Sequence, residues 1–156
     1  MVRGSGSDGT KGPRRVGLVG CVKAKADRRL PAGDLYVSAL FRGRRQYVKA
    51  TCDEWWILSA EHGLVNPATL LDPYDTALSR ASASERRRWG QIVLSAIDEQ
   101  VCLAPGEVVE VHAGAEYRDY GLVHGLLDRA VSVVNPTAGM GIGRQLAFYQ
   151  QQARGE

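Results

Sequence analysis

The sequence predicts an α/β fold: one three-layer domain with a mostly parallel sheet of about four strands and helices on both faces. Three observations carry this expectation. Short aliphatic runs without polar alternation, the pattern of strands buried on both faces, recur at VGLVG, WWILSA, VVEVHAG and VSVV. Segments with apolar residues at helical spacing separate them, so each strand returns through a helix and its neighbour runs parallel. The length of 156 residues, 44% of them hydrophobic, suits one domain with a modest core.

Residues 1–15 are Gly, Ser, Lys and Arg with few aliphatics, and they predict a disordered basic tail ahead of a single domain over 16–156. At Val16 the composition changes to VGLVG, a buried strand ending at Gly20 and Cys21, followed by a loop with Lys23, Lys25, Arg28 and Arg29. Pro31 introduces GDLYVSALF, where Leu35, Ala39 and Leu40 fall near helical spacing, and a second helical stretch runs from about Arg44 to Thr51. WWILSA is the second strand. It opens into EHGLVNPATLLDPYD, whose prolines, glycine and aspartates predict a long irregular loop, a length that in compact domains usually signals function. Ser82-Ala83-Ser84-Glu85 has the form of a capping box, opening a helix to about Cys102 with Trp89, Ile92, Val93, Ala96 and Ile97 on one face. VVEVHAG is the third strand. A helix from Tyr117 to Arg129 turns Leu122, Val123, Leu126 and Leu127 inward, VSVV is the fourth strand, and NPTAGMGIG leads into a last helix, RQLAFYQQQ.

The formal net charge of +3 conceals an asymmetry. Residues 1–52 hold 12 Lys/Arg and 3 Asp/Glu, and the remainder holds 8 and 14. A basic first third suits a polyanionic partner such as DNA, RNA or a nucleotide, although solvated arginine-rich helix faces give the same composition. No apolar run approaches the roughly 18 residues of a spanning helix and the N-terminus lacks a secretory apolar stretch, so a cytoplasmic protein without membrane contact is expected. Cys21, Cys52 and Cys102 form no C-x-x-C pair and combine with three scattered histidines in no zinc spacing. The expectation is a monomer with no metal and no cofactor. GCVKAK after the first strand is neither a dinucleotide fingerprint nor a P-loop. Gly139, Gly141 and Gly143 precede a helix, where free N–H groups hold an anion or the glycines simply permit a tight turn.

In an open parallel sheet, ligands bind beyond the carboxyl ends of the strands. The segments that meet there contain Cys21, Lys23, Lys25, Ser59, His62, Asp72, Tyr74, Asp75, His112, Tyr117 and Asn135.

The run Ile57-Leu58-Ser59-Ala60, His62-Gly63-Leu64, Pro67, Leu71 and Pro73-Tyr74-Asp75 resembles the signature of the YaaA-like superfamily. That superfamily includes peroxide-stress proteins implicated in DNA binding and small bacterial domains of unknown function. The small domains share the patterns seen here as Cys21-x-Lys23-x-Lys25, Pro31-Ala32-x-Asp34-Leu35-Tyr36-x-Ser38-x-x-Phe41, Ala113-Gly114-x-x-Tyr117 and Gly141-Ile142-Gly143-x-Gln145-Leu146. The resemblance spans about residues 16–148, and a weaker one reaches a domain of archaeosine synthase, which works on a modified tRNA base. It implies nucleic-acid or nucleobase handling by these motifs, with Tyr36, Ser38, Ser59, Gly63, Tyr74, Gly114, Tyr117 and Gly141 among the substrate-binding residues. Val22 departs from the serine common in the small domains.

Residue chemistry narrows the roles. Asp75 in a crevice loop can activate water, or it stabilises a turn. Asp34, just after Pro31-Ala32-Gly33, either binds substrate or favours the dipole of a helix start. His62 can donate to a leaving base or bond a backbone carbonyl. Cys21 is a nucleophile candidate or a small buried residue, Lys23 and Lys25 suit phosphate contacts, and Tyr36 and Tyr74 stack bases or fill the core. Hydrolysis of a base–sugar bond needs the fewest parts: a carboxylate for the oxocarbenium-like transition state and a donor for the departing base. Asp75 or Asp34 with His62 would supply these, which predicts a DNA N-glycosylase acting on a modified or damaged base flipped into the crevice. The rival expectations are a non-catalytic DNA-binding protein and an enzyme of free nucleosides.

Overall fold

The computed structural model describes residues 12–21 and 24–155. The proposed contacts of Lys23, the departure at Val22 and most of the expected tail lie outside the described residues. The four expected strands are β1 (Arg15–Gly20), β3 (Glu54–Ser59), β6 (Val108–His112) and β7 (Ser132–Val134), all parallel. A fifth, β4 (Gly63–Val65), folds back antiparallel on β3, giving the order β4-β3-β1-β6-β7. Three residues are too few to show a period, so β4 is hidden in the sequence. A two-residue pair, β2 (Leu30–Pro31) with β5 (Leu70–Leu71), ties together the loops after β1 and β4.

The domain begins two residues before the composition break at Val16. Arg14 reaches Glu107 at 2.8 Å and Glu54 at 3.1 Å, and Arg15 opens β1 and pairs with Glu110. Part of the basic excess of the first third is therefore neutralised by carboxylates in β3 and β6 and just before β6.

Helix boundaries moved where local geometry intervened. The helical stretch expected after Pro31 is split into α1 (Ala32–Leu35) and α2 (Ala39–Thr51), because the Ser38 hydroxyl accepts from the Phe41 N–H at 3.1 Å and caps α2. α3 (Ala83–Gln100) carries the expected capping box. Its apolar face is rotated from the expected one: Trp89, Val93 and Ile97 are buried, but Ile92 is 57% exposed and Leu94 takes its place. The helix expected over Tyr117–Arg129 is α4 (Ala115–Arg118) and α5 (Leu122–Leu127), broken at Gly121 with φ +115°; Leu127 is consequently exposed. α6 (Ile142–Ala153) ends the fold.

Alternation along β1 assigns the layers. Val16 and Leu18 meet Ile97, Val101 and Leu126 of the α3–α5 side, whereas Gly17 faces Val48 of α2. α2 and α6 form the other layer, and Gly43 is what lets them touch: a Cβ there would lie 2.7 Å from Tyr149 Cβ. Gly43→Ala is therefore expected to destabilise the fold by about 1–3 kcal/mol through overpacking, despite alanine's better helix propensity. Urea unfolding would measure it.

Under the α2–α6 layer lies a buried polar relay. Glu110 and His112 are fully buried; His112 Nε2 donates to Glu110 at 2.9 Å and the Tyr149 hydroxyl donates to Nδ1 at 2.6 Å. Arg15 and Thr51 also donate to Glu110. Burial pushes His112 below its usual pKa, so it stays a neutral imidazole. Burial alone would raise Glu110, but the hydrogen bonds from His112 and Arg15 outweigh it and hold the carboxyl below its usual range. His112 is thus packed in the core at the end of β6. In both cases the unfolded chain binds the proton more readily, so stability is complete above pH 6.5 and falls as pH drops, first through His112 and below pH 4.5 through Glu110 as well. Urea midpoints of the wild type should fall between pH 7.5 and pH 5.5, and those of His112→Gln should fall less.

Candidate functional site

The chain leaves β1 through α2 to β3 on one side and returns through α3 to β6 on the other. The carboxyl ends of β1 and β6 therefore part at a topological switch point, where such sheets hold their ligands. A cleft of about 660 Å³ opens there. Its size falls within the range of small-molecule sites.

The floor comes from residues immediately beyond the two strands. Cys21 follows β1 directly, and its Sγ lies 3.0 Å from the Tyr117 hydroxyl of α4. The Tyr117 ring is held edge-on against Trp89, 5.1 Å away, and burial raises the pKa of its phenol. Beside them Arg44 enters from α2. It is 5% exposed, with Nη1 3.3 Å from the Gly20 carbonyl and Nη2 3.2 Å from Gln145 Oε1, while its Nε has no partner. Among the described residues no carboxylate is within ion-pair distance of Arg44, and burial pushes its pKa down from the ordinary value.

Two carboxylates border the cleft. Glu116 lies on α4, its Oε1 only 2.7 Å from where a Cβ on Gly114 would sit. Gly114 thus makes room for the carboxylate. Asp75 stands on the rim with its side chain 90% exposed, 3.8 Å from Arg80, in the segment that leads to a 3-10 turn at Leu78–Arg80. Lys25 lines the same cleft, its Nζ 4.4 Å from the centre of the Tyr74 ring, and burial lowers its pKa.

The expected site residues divide cleanly. Cys21, Lys25, Asp75, Gly114 and Tyr117 converge on the cleft. Asp34 does not: it is exposed on α1, 3.5 Å from Arg45. His62 is also exposed and outside the lining, edge-on to Tyr74 at 5.2 Å. Tyr36 is core, its hydroxyl 2.5 Å from that of Tyr74, which meets Ser59 Oγ at 2.7 Å; burial pushes Tyr36 up to about 12. Ser59 further accepts the N–H groups of Glu61 and His62 and so ends β3, while Gly63, at φ +73°, starts β4. Ser38 is the α2 cap. Gly141 is the exposed N-cap of α6, beside the cleft residue Ile142. Tyr36, Ser38, Ser59 and Gly63 thus have scaffold roles. Asp72 is exposed and outside the lining.

Arg44, Glu116 and Gln145 are the functional candidates that the sequence reading missed. Arg44 had a signal: it interrupts the buried α2 stripe Phe41–Arg44–Val48, where a charge is otherwise unexplained. Among the described residues, no three His, Cys, Asp or Glu come together to hold a metal ion, and no helix is long and apolar enough to cross a membrane.

A family described as of unknown function, DUF6884, matches residues 16–151. The chain belongs to that family. No curated protein and no solved structure matches it. In this DUF6884 member the matched segment contains every cleft residue named above.

Proposed function

We propose that this DUF6884 protein is a nucleic-acid-associated N-glycosyl hydrolase, cleaving the base–sugar bond of a modified or damaged nucleotide in DNA. The observation that carries the reading is the meeting of Glu116, Asp75 and Lys25 on one cleft at the switch point. The motif resemblance to the YaaA-like superfamily supports the nucleic-acid part of this reading and fixes no reaction.

Cleavage passes through a sugar cation, so the transition state gains positive charge at C1′. Glu116 beside Gly114 stabilises that charge. Asp75, open to solvent, orients the attacking water and takes its proton. The water oxygen bonds to C1′ as the C1′–N bond breaks, and the bonding pair leaves with the base. Lys25 donates the proton the base needs, a role for which its burial-lowered pKa fits it. Arg28, Arg29 and Arg42, exposed beyond the ion pairs of Arg14, Arg15 and Arg45, are available to backbone phosphates.

The test is a panel of DNA duplexes and single strands carrying modified or damaged bases, assayed for free base and for alkali-labile abasic sites, with free nucleosides alongside. Base release from polymer is expected. Salt-dependent binding without release would overturn hydrolysis in favour of a binding protein. Release from nucleosides alone would overturn the nucleic-acid substrate.

A further inference from the structure

We propose that the α6 end of the cleft is a phosphate subsite, with Arg44 supplying the charge and the first turn of α6 the backbone donors. This deepens the hydrolase reading and rests on it for the identity of the substrate as a nucleotide.

The argument starts from the cost of burying charge. A guanidinium that is 95% buried, with no carboxylate among the described residues at ion-pair distance and Glu116 acting on it only from farther off, is a liability in the free protein, because desolvation outweighs that attraction. Its hydrogen-bond partners, the Gly20 carbonyl, Gln145 and the Tyr149 hydroxyl, are all neutral oxygens, and among the described residues Nε has no partner. A residue with that energetics lining an open cleft fits an anionic ligand that arrives from outside.

The second observation is independent of Arg44. α6 is 12 residues long and starts at Gly141 with no side-chain cap, so among the described residues no side chain at the cap accepts from the N–H groups of its first turn, at the end of the helix that carries partial positive charge. Added Cβ atoms at Gly141 and Gly143 would meet nothing within 4 Å, so an oxyanion can approach the backbone there. Gln145 joins the two parts: Oε1 accepts from Arg44, and Nε2 donates to the Met140 carbonyl at 3.0 Å, fixing the loop before α6. Glu116 and Asp75 line the same cleft, so a phosphate held here belongs to the ligand those carboxylates face.

A phosphate here comes either from a mononucleotide or from a strand end or internal linkage, and the experiment separates these sources. Binding of inorganic phosphate, a nucleoside 5′-monophosphate, the matching nucleoside, and oligonucleotides with and without a 5′-phosphate is measured by calorimetry on wild type, Arg44→Met and Arg44→Lys. Phosphate and the monophosphate should bind at least tenfold more tightly than the nucleoside. Arg44→Met should lose that preference while matching or exceeding the unliganded thermal stability of the wild type, and Arg44→Lys should keep part of it. A gain from the 5′-phosphate on oligonucleotides assigns the source to a strand end; equal binding of both oligonucleotides, tighter than the nucleoside and dependent on Arg44, assigns it to an internal linkage. Monophosphate binding without oligonucleotide binding assigns it to a free nucleotide. The subsite is overturned if Arg44→Met binds phosphate like the wild type, or if it is strongly destabilised and Arg44→Lys binds no phosphate while remaining folded. Base release is read separately: phosphate binding without release leaves the subsite standing and removes the hydrolase, and Arg44-independent release does the reverse.

Discussion

Glu116→Gln and Asp75→Asn should each reduce base release at least a hundredfold while leaving the thermal midpoint close to wild type. Both substitutions are nearly isosteric and remove only the negative charge, and positioned acid–base or electrostatic groups in such reactions are worth about 10²–10⁴ in rate. Neither carboxylate holds the fold together, since Asp75 makes one long pair at an exposed rim and Glu116 borders open space. His62→Ala and Asp34→Ala should stay within about threefold of wild type, because neither side chain lines the cleft. Gly114→Ala is the sharper control. The atoms nearest its Cβ belong to the flexible end of Glu116, so activity should fall without unfolding. Equal activity in Glu116→Gln and wild type would remove this residue from the mechanism.

Glu110→Ala should be the most destabilising single change, costing about 3–5 kcal/mol of the 5–15 kcal/mol typical of a domain. It strands Arg15 and Thr51 and removes the acceptor of the fully buried His112. Glu110→Gln, which keeps a carbonyl acceptor for His112 Nε2, should lose less. Denaturant unfolding at pH 7.5 decides it, and a loss below about 1 kcal/mol in the alanine variant would show that the relay is not a stabilising network.

The relay also shows where sequence reading stops. The aliphatic runs at Val16, Trp55 and Val108 were legible as buried strands, yet Glu110 and His112 within VVEVHAG gave no hint of each other's partners. Arg15 and Tyr149 lie 95 and 37 residues from the groups they meet. Ile92 was assigned to the inner face of α3 because spacing alone does not fix which 100° of a helix meets the sheet.

By itself the sequence determined the parallel strands, the capped start of α3 and the end of the sheet at which Cys21, Lys25, Asp75, Gly114 and Tyr117 would meet. Burial runs and caps act within a few residues, and chain direction follows from strands alternating with helices. Only the tertiary structure decided that Arg44, Glu116 and Gln145 share that cleft and that His62 and Asp34 do not. Arg44 and Gln145 are 101 residues apart. Their meeting depends on how α2 and α6 pack through Gly43, a through-space relation that no local spacing encodes.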